Sequence, residues 1–243
     1  MDVKKAKSKT QEDLVLLYLR LNGFFVTSFI VHSPDPGRNL TEIDALAIRM
    51  PHNAEPEREI GPHELLDLSS NHTDLVICEV KSKGQQIRFN EALTTNYQAV
   101  ESVLRWSGLF LDEEIPGLAE RLQEAFAQKP LPSSGPPCVI GPRGVRIRCL
   151  LFSPERKKRN GSQPWYITGP PVFEYVHRCL SPVQPRPECS VTYDFGLWWS
   201  QEWIVRYFKG RKGQDAGDVE QLMAYQDSPP RPRLPRPPAA DSQ

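Results

Sequence analysis

Residues Thr73 to Lys83 read TDLVICEVKSK. Leu75, Val76, Ile77 and Cys78 are consecutive and apolar, the pattern of a buried strand. The strand then ends in two opposite charges, Glu79 and Lys81, with Val80 between them. A side-chain period of two puts Ile77, Glu79 and Lys81 on one face and Val76, Cys78 and Val80 on the other. The chain therefore commits a central strand to the core and aims a carboxylate and an ammonium at one place at its end.

The flanking segments predict an α/β layout with a central mixed sheet flanked by helices. LVLLYLRLN is apolar nearly all round and predicts a buried helix, capped by Thr10, with Asp13 three residues on and Gly23 as its stop. The preceding MDVKKAKSK reads as a frayed basic arm. FFVTSFIVHS is a strand broken by Pro34-Asp35-Pro36-Gly37, and Thr41 to Arg49 is the next. Its alternation places Glu42, Asp44, Leu46 and Ile48 on one face. The long connection from Met50 to His72 calls for a flap or a short inserted helix at HELLDL. A helix is expected from about Asn90 to Trp106 and another from Gly117 to Gln128, followed by the linker KPLPSSGPP. Strands follow at GVRIRCLLFSP and WYITGP, then helices at PPVFEYVHRCLSP and SQEWIVRYFKG. One α/β domain is expected over residues 1–210, with its core over about 10–180 and its C-terminal helix over about 198–210. The Pro/Arg-rich remainder, 211–243, reads as a disordered tail.

If the second and third strands pair, Asp44 and Glu79 converge, and Glu12 on the first helix packs against the same sheet. Glu42 is a rival to Asp44 on that face. Neighbouring carboxylates repel, and a divalent cation removes the conflict. Mg²⁺ takes one or two carboxylates together with waters and substrate phosphate, and a lysine beside it can orient or deprotonate an attacking water. The set Glu12, Asp44 and Glu79-Val80-Lys81 resembles the PD-(D/E)XK, or restriction-endonuclease-like, nuclease superfamily over about Gln11 to Trp106. The resemblance implies an α-β-β-β-α-β core and a metal-dependent nuclease. Carried over by position, it implies that Asp44, Glu79 and the Val80 carbonyl bind Mg²⁺ or Mn²⁺, that Lys81 acts on the water, and that Glu12 supports them. Some members also carry a glutamine on the helix after the lysine strand, a place that Gln98 fills here, beside Tyr97.

DNA is the expected substrate, with RNA open, and the products are those of phosphodiester hydrolysis. An inactive nucleic-acid-binding or protein-interaction module on the same fold is the alternative. Net charge is zero, with 30 basic and 30 acidic residues, so nucleic acid must be met by a local patch. Lys83 and Arg156-Lys157-Lys158-Arg159 are the candidates, with Arg143, Arg146 and Arg148 making the preceding stretch basic as well. The five cysteines have no metal-ligand spacing and no signal peptide precedes them, which predicts a reduced cytoplasmic protein without disulfides. His52, His63 and His72 match no structural zinc site. No apolar run is long enough to span a membrane. The oligomeric state is open, a dimer included.

Overall fold

The computed structural model describes residues 3–33, 35, 38–54, 58–127, 136, 138–157, 166–183 and 201–226. The first helix, α1 (Val3–Leu21), is followed by strands β1 (Phe25–His32), β2 (Asn39–Arg49) and β3 (Thr73–Val80). Then come α2 (Glu91–Thr95), α3 (Tyr97–Ser107), α4 (Ile115–Ala127), β4 (Cys138–Ile140), β5 (Val145–Ser153) and β6 (Ile167–Thr168). The described chain closes with α5 (Gly169–Leu180), α6 (Glu202–Lys209) and α7 (Val219–Gln226).

The strands form one mixed six-stranded sheet in the order β1-β2-β3-β5-β4, with β6 also on β5. β1, β2 and β3 are antiparallel neighbours, whereas β5 runs parallel to β3 along its whole length, from Thr73 against Val145 to Val80 against Phe152. The apolar run of β3 is explained by this central place, because both of its faces are covered. On one face Val76, Cys78, Val80, Ala45, Ala47, Leu150 and Phe152 pack with α1, α5, α6 and α7. On the other, Leu75, Ile77, Leu46, Ile147 and Leu151 pack with α2, α3 and α4.

Several expectations change. α1 starts at Val3, so the basic arm is helical in all its described residues and Thr10 lies inside the helix, where its hydroxyl donates to Gln226 Oε1 at 3.4 Å. Gly23 does stop the helix, with φ +84° and its N–H on the Arg20 carbonyl. The single helix expected from Asn90 is two, since Asn96 ends α2 and caps α3 by accepting from the Ala99 N–H. The chain beyond Arg211 is not all tail. Val219 and Leu222 of α7 are fully buried in the core. Pro34, Pro36, Gly37, most of KPLPSSGPP, Lys158, Arg159, Trp198, Trp199 and residues 227–243 lie outside the described residues.

The long connection is strapped down. It holds a 3₁₀ turn at Glu64–Leu66. The Tyr18 hydroxyl and His63 Nδ1 share a hydrogen bond of 2.7 Å, and the His63 ring stacks on Tyr175 at 4.9 Å. The His63 N–H donates to Asn22 Oδ1.

Gly169 opens α5 where the chain crosses Pro154. A Cβ there would overlap the Pro154 carbonyl, and both clashing groups are backbone. Gly169→Ala is expected to cost about 1–3 kcal/mol of stability, the range for forced overpacking. A urea titration of the variant beside the parent measures it; equal midpoints would contradict the close approach.

Candidate active site

β2 and β3 pair only from Ala45–Arg49 against Cys78–Asp74. Just before Ala45, β2 carries a bulge: Thr27 and Phe29 of β1, two residues apart, face Leu46 and Ile43, three apart. The extra residue breaks the alternation. Ile43 and Leu46 therefore share a core face, and Asp44 does not follow Leu46 as a strict period of two requires. The bulge also ends the β2–β3 ladder and leaves the Val80 N–H without a strand partner on that side. Asp44 Oδ2 accepts that N–H at 2.7 Å. Glu42 is exposed, so the structure separates it from Asp44 by burial.

The other side of β3 is clamped to β5. The Lys81 N–H donates to the Phe152 carbonyl at 2.8 Å, and the Ser153 hydroxyl donates to the Lys81 carbonyl at 2.6 Å. The strand end is thus tied to β5 through both backbone groups of Lys81 where its two charges emerge. Glu79 is fully buried and Lys81 nearly so. Lys81 Nζ donates to Glu79 Oε2 and, at 2.9 Å, to Asn90 Oδ1. Asn90 Nδ2 donates in turn to the Glu42 carbonyl at 3.2 Å and to Thr41 Oγ1 at 3.3 Å. Glu79 Oε1 is buried with no hydrogen-bond partner among the described residues.

Burial raises the Glu79 carboxyl to about 7, against the pull of the Lys81 charge and its hydrogen bond, with a push from Asp44 and a smaller pull from the Asn90 N–H. Burial also raises Asp44 to about 6; its bond to the Val80 N–H and the Lys81 charge oppose the rise, while Glu12 and Glu42 add to it. Asp44 thus acts on Glu79, and Glu12 acts on Asp44. Glu12 itself is half-buried on α1, accepting from the Ser8 hydroxyl at 3.2 Å.

Asp44, held on the Val80 N–H, and the Glu79–Lys81 pair thus meet at the end of β3, while Glu12 reaches Asp44 only through its charge. Gln98 is exposed in the first turn of α3, and no described hydrogen bond links its side chain to Glu79 or Lys81. The side chain that reaches Lys81 is that of Asn90. It is the residue before α2, where an asparagine normally caps, yet its side chain makes no capping bond. It is spent on Lys81 instead. Asn90→Ala should cost about 1–3 kcal/mol by leaving buried polar groups unpaired. Gln98→Ala should stay within about 0.5 kcal/mol, as exposed positions do. Chemical denaturation of the pair checks the contrast, and the reverse ranking would contradict it.

Of the expected phosphate contacts, Lys83 and Lys157 are exposed. Arg156 is held inward: its Nη2 donates to the Gln85 carbonyl at 2.9 Å and its guanidinium lies 5.9 Å from the Tyr166 ring centre. Arg143 pairs with Glu114 at 2.7 Å, and Arg146 with Asp74 at 2.6 Å, so these arginines have structural partners. Among the described residues no three His, Cys, Asp or Glu side chains stand together as a ready metal cage, and no helix is long and apolar enough to cross a membrane. No protein-family model matches the chain, and neither a characterised protein nor a solved structure does.

Proposed function

We propose that this chain is a metal-dependent nuclease of the PD-(D/E)XK kind, hydrolysing phosphodiester bonds in DNA at the Asp44–Glu79–Lys81 cluster. The observation that carries the reading is the unpaired, buried Glu79 Oε1 beside a second carboxyl, Asp44, that is raised by the same burial. A buried acid pair with spare oxygens is costly by itself and is relieved by a cation. The order α1, antiparallel β1–β2–β3, helices, then β5 parallel to β3 supports the same reading, as it is the order that the resemblance implies.

The donor set fits Mg²⁺ or Mn²⁺. Asp44, Glu79 and the Val80 carbonyl are hard oxygen donors, too few to enclose an ion, which suits a metal that keeps waters and takes substrate phosphate. They do not suit a structural zinc site. Bound there, the metal would polarise a phosphoryl oxygen and lower the pKa of a coordinated water.

The chain's own side chains supply the rest. Lys81 Nζ, held by Glu79 and Asn90, orients the attacking water and offsets negative charge building on the phosphate. Asn90 fixes that ammonium by tying it to β2. Glu12 adds negative potential at Asp44 and so strengthens the site's attraction for a cation. The water's oxygen bonds to phosphorus as the bond to the 3′ oxygen breaks; the water gives up a proton to solvent, the leaving 3′ oxygen takes one from solvent, and the products are a 5′-phosphate and a 3′-hydroxyl.

Incubation with linear, circular and single-stranded DNA, with Mg²⁺ or Mn²⁺ and with chelator, tests the reading. Cleavage that needs the metal and leaves 5′-phosphate ends is expected. The closed Glu79–Lys81 pair favours a second reading, a module that binds nucleic acid or protein without cutting it. Absence of cleavage on DNA and RNA alike would favour that reading over ours.

A further inference from the structure

The two edges of the sheet differ. One is β4, three residues long. Shortness is one way in which proteins blunt an edge against stray pairing. The other is β1, eight residues reading FVTSFIVH. It carries no Lys, Arg, Asp, Glu or Pro, the residues that usually guard an edge. Both register shifts between β1 and β2 put the extra residue on β2, so no bulge turns β1 aside. Among the described residues β1 has β2 on one side and no strand on the other. A row of its backbone N–H and C=O groups is therefore open to a further strand.

This edge is apolar on both faces. Phe25 lies opposite Ile48, whose face packs with α2, α3 and α4, and it is 63% exposed. Phe29 shares that face and packs on Trp106 of α3, with 4.8 Å between ring centres. Trp106 is itself 52% exposed. Ile30 points to the opposite face and is 40% exposed. Neither Phe25 nor Ile30 joins the core on its side.

We propose that β1 pairs antiparallel with β1 of a second copy of this chain, so that two sheets become one across a two-fold axis. Directly opposed residues of an antiparallel pair share a face. With the axis at Ser28, Phe25 meets Val31 of the second copy, and Ile30 meets its Val26. Both exposed side chains thereby gain an apolar neighbour. A second copy is the occupant because the strand offers no charge to select another partner, and a chain of zero net charge does not repel its own copies. A two-fold pairing also closes, since it uses both open edges and stops at two chains. Eight residues at about 3.4 Å each give a seam of roughly 27 Å. With a layer about 10 Å deep on either side, the seam covers roughly 550 Å² per copy, or about 1,100 Å² in all, the low end for specific interfaces. The dimer therefore forms with a Kd of about a micromolar or weaker. This inference is independent of the nuclease reading.

Sedimentation velocity of the full chain over about 1–300 µM tests it. The parent should pass from 27.7 kDa towards twice that mass as concentration rises. Phe25→Lys/Ile30→Lys should self-associate at least about tenfold more weakly, because it sets like charges across the seam. Leu111→Lys, exposed between α3 and α4, should dimerise as the parent does. Hydrogen exchange on the parent gives a second reading that needs no variant: amides of residues 25–32 should slow with rising concentration, and those of β4 should not. A parent that stays monomeric throughout would overturn the proposal. So would a dimer that survives both lysines or leaves the β1 amides unchanged, and so would growth beyond two chains.

Discussion

Asp74→Ala is expected to lower the unfolding free energy by about 3–5 kcal/mol, the cost of leaving a buried charge without its partner. Asp74 opens β3 and is fully buried. Two arginines reach it from the parallel neighbour β5: Arg146 Nε at 2.6 Å, and Arg148 Nη1 at 3.8 Å. The same guanidiniums hold the connection over the sheet, Arg146 Nη2 donating to the Asp67 carbonyl at 2.7 Å and Arg148 Nη1 to that of Leu66. Burial pushes the Arg148 guanidinium down from its ordinary range, and Asp74 opposes that. Without Asp74, Arg148 remains a buried cation with one carbonyl. Adding Arg148→Met should therefore recover part of the loss, since the two positions are coupled. Denaturant unfolding of both single variants and the double measures this; strictly additive losses would contradict the pairing. Asp74 and Glu79 stand at opposite ends of β3, so the folded fraction of Asp74→Ala should keep the parent's cleavage activity.

Glu79→Gln is expected to reverse that pattern, abolishing cleavage while stabilising the fold. The carboxyl rises from an ordinary 4.5 to about 7 on folding, so the folded chain holds this proton more tightly than the unfolded chain. The native state then binds more protons between the two values, and stability falls as pH rises through that window. Asp44, raised to about 6, acts in the same direction over its own window. Glutamine copies the neutral form at every pH. At pH 8 it should gain on the order of 2–3 kcal/mol over the parent, and at pH 4 almost nothing. His63 works the other way, since burial lowers its pKa and its contribution is lost as pH falls. Subtracting the variant's curve from the parent's cancels that and all other shared groups. Thermal melts in chelator from pH 4 to 8 give both curves. A parent–variant gap that does not grow with pH would contradict a raised Glu79. Mg²⁺ should narrow the gap at pH 8 by stabilising only the parent.

The β3 strand and its charged end were legible in the sequence because two independent signals coincide there, an unbroken apolar run and a period of two. The buried α1 was legible for the same reason. The bulge in β2 was not. TEIDALAIR contains no glycine to mark it, and it arises from the pairing of β1 with β2. Asp44 reaches the cluster through that bulge rather than through the alternation that suggested it. Asn90 was hidden by its own ordinary explanation, since an asparagine before a helix reads as a cap. Gln98 was placed by resemblance on one continuous helix, whereas Asn96 divides it, a capping residue that the sequence does display. The basic arm read as frayed because its anchors, Glu155 and Glu220, lie far along the chain. Arg146 and Arg148 read as part of a basic stretch for the same reason: their carboxylate, Asp74, becomes a neighbour only when β3 and β5 pair.

Cleavage of plasmid and linear duplex in Mn²⁺ by the parent, Glu79→Gln and Lys81→Ala, side by side on chains checked for native melting, addresses the central claim most directly. Cleavage by the parent is expected, with a loss of at least about a hundredfold in each variant, in line with removing a charge-stabilising group, and none in chelator. Metal-dependent cleavage that survives both substitutions would contradict it and put the chemistry elsewhere on the chain.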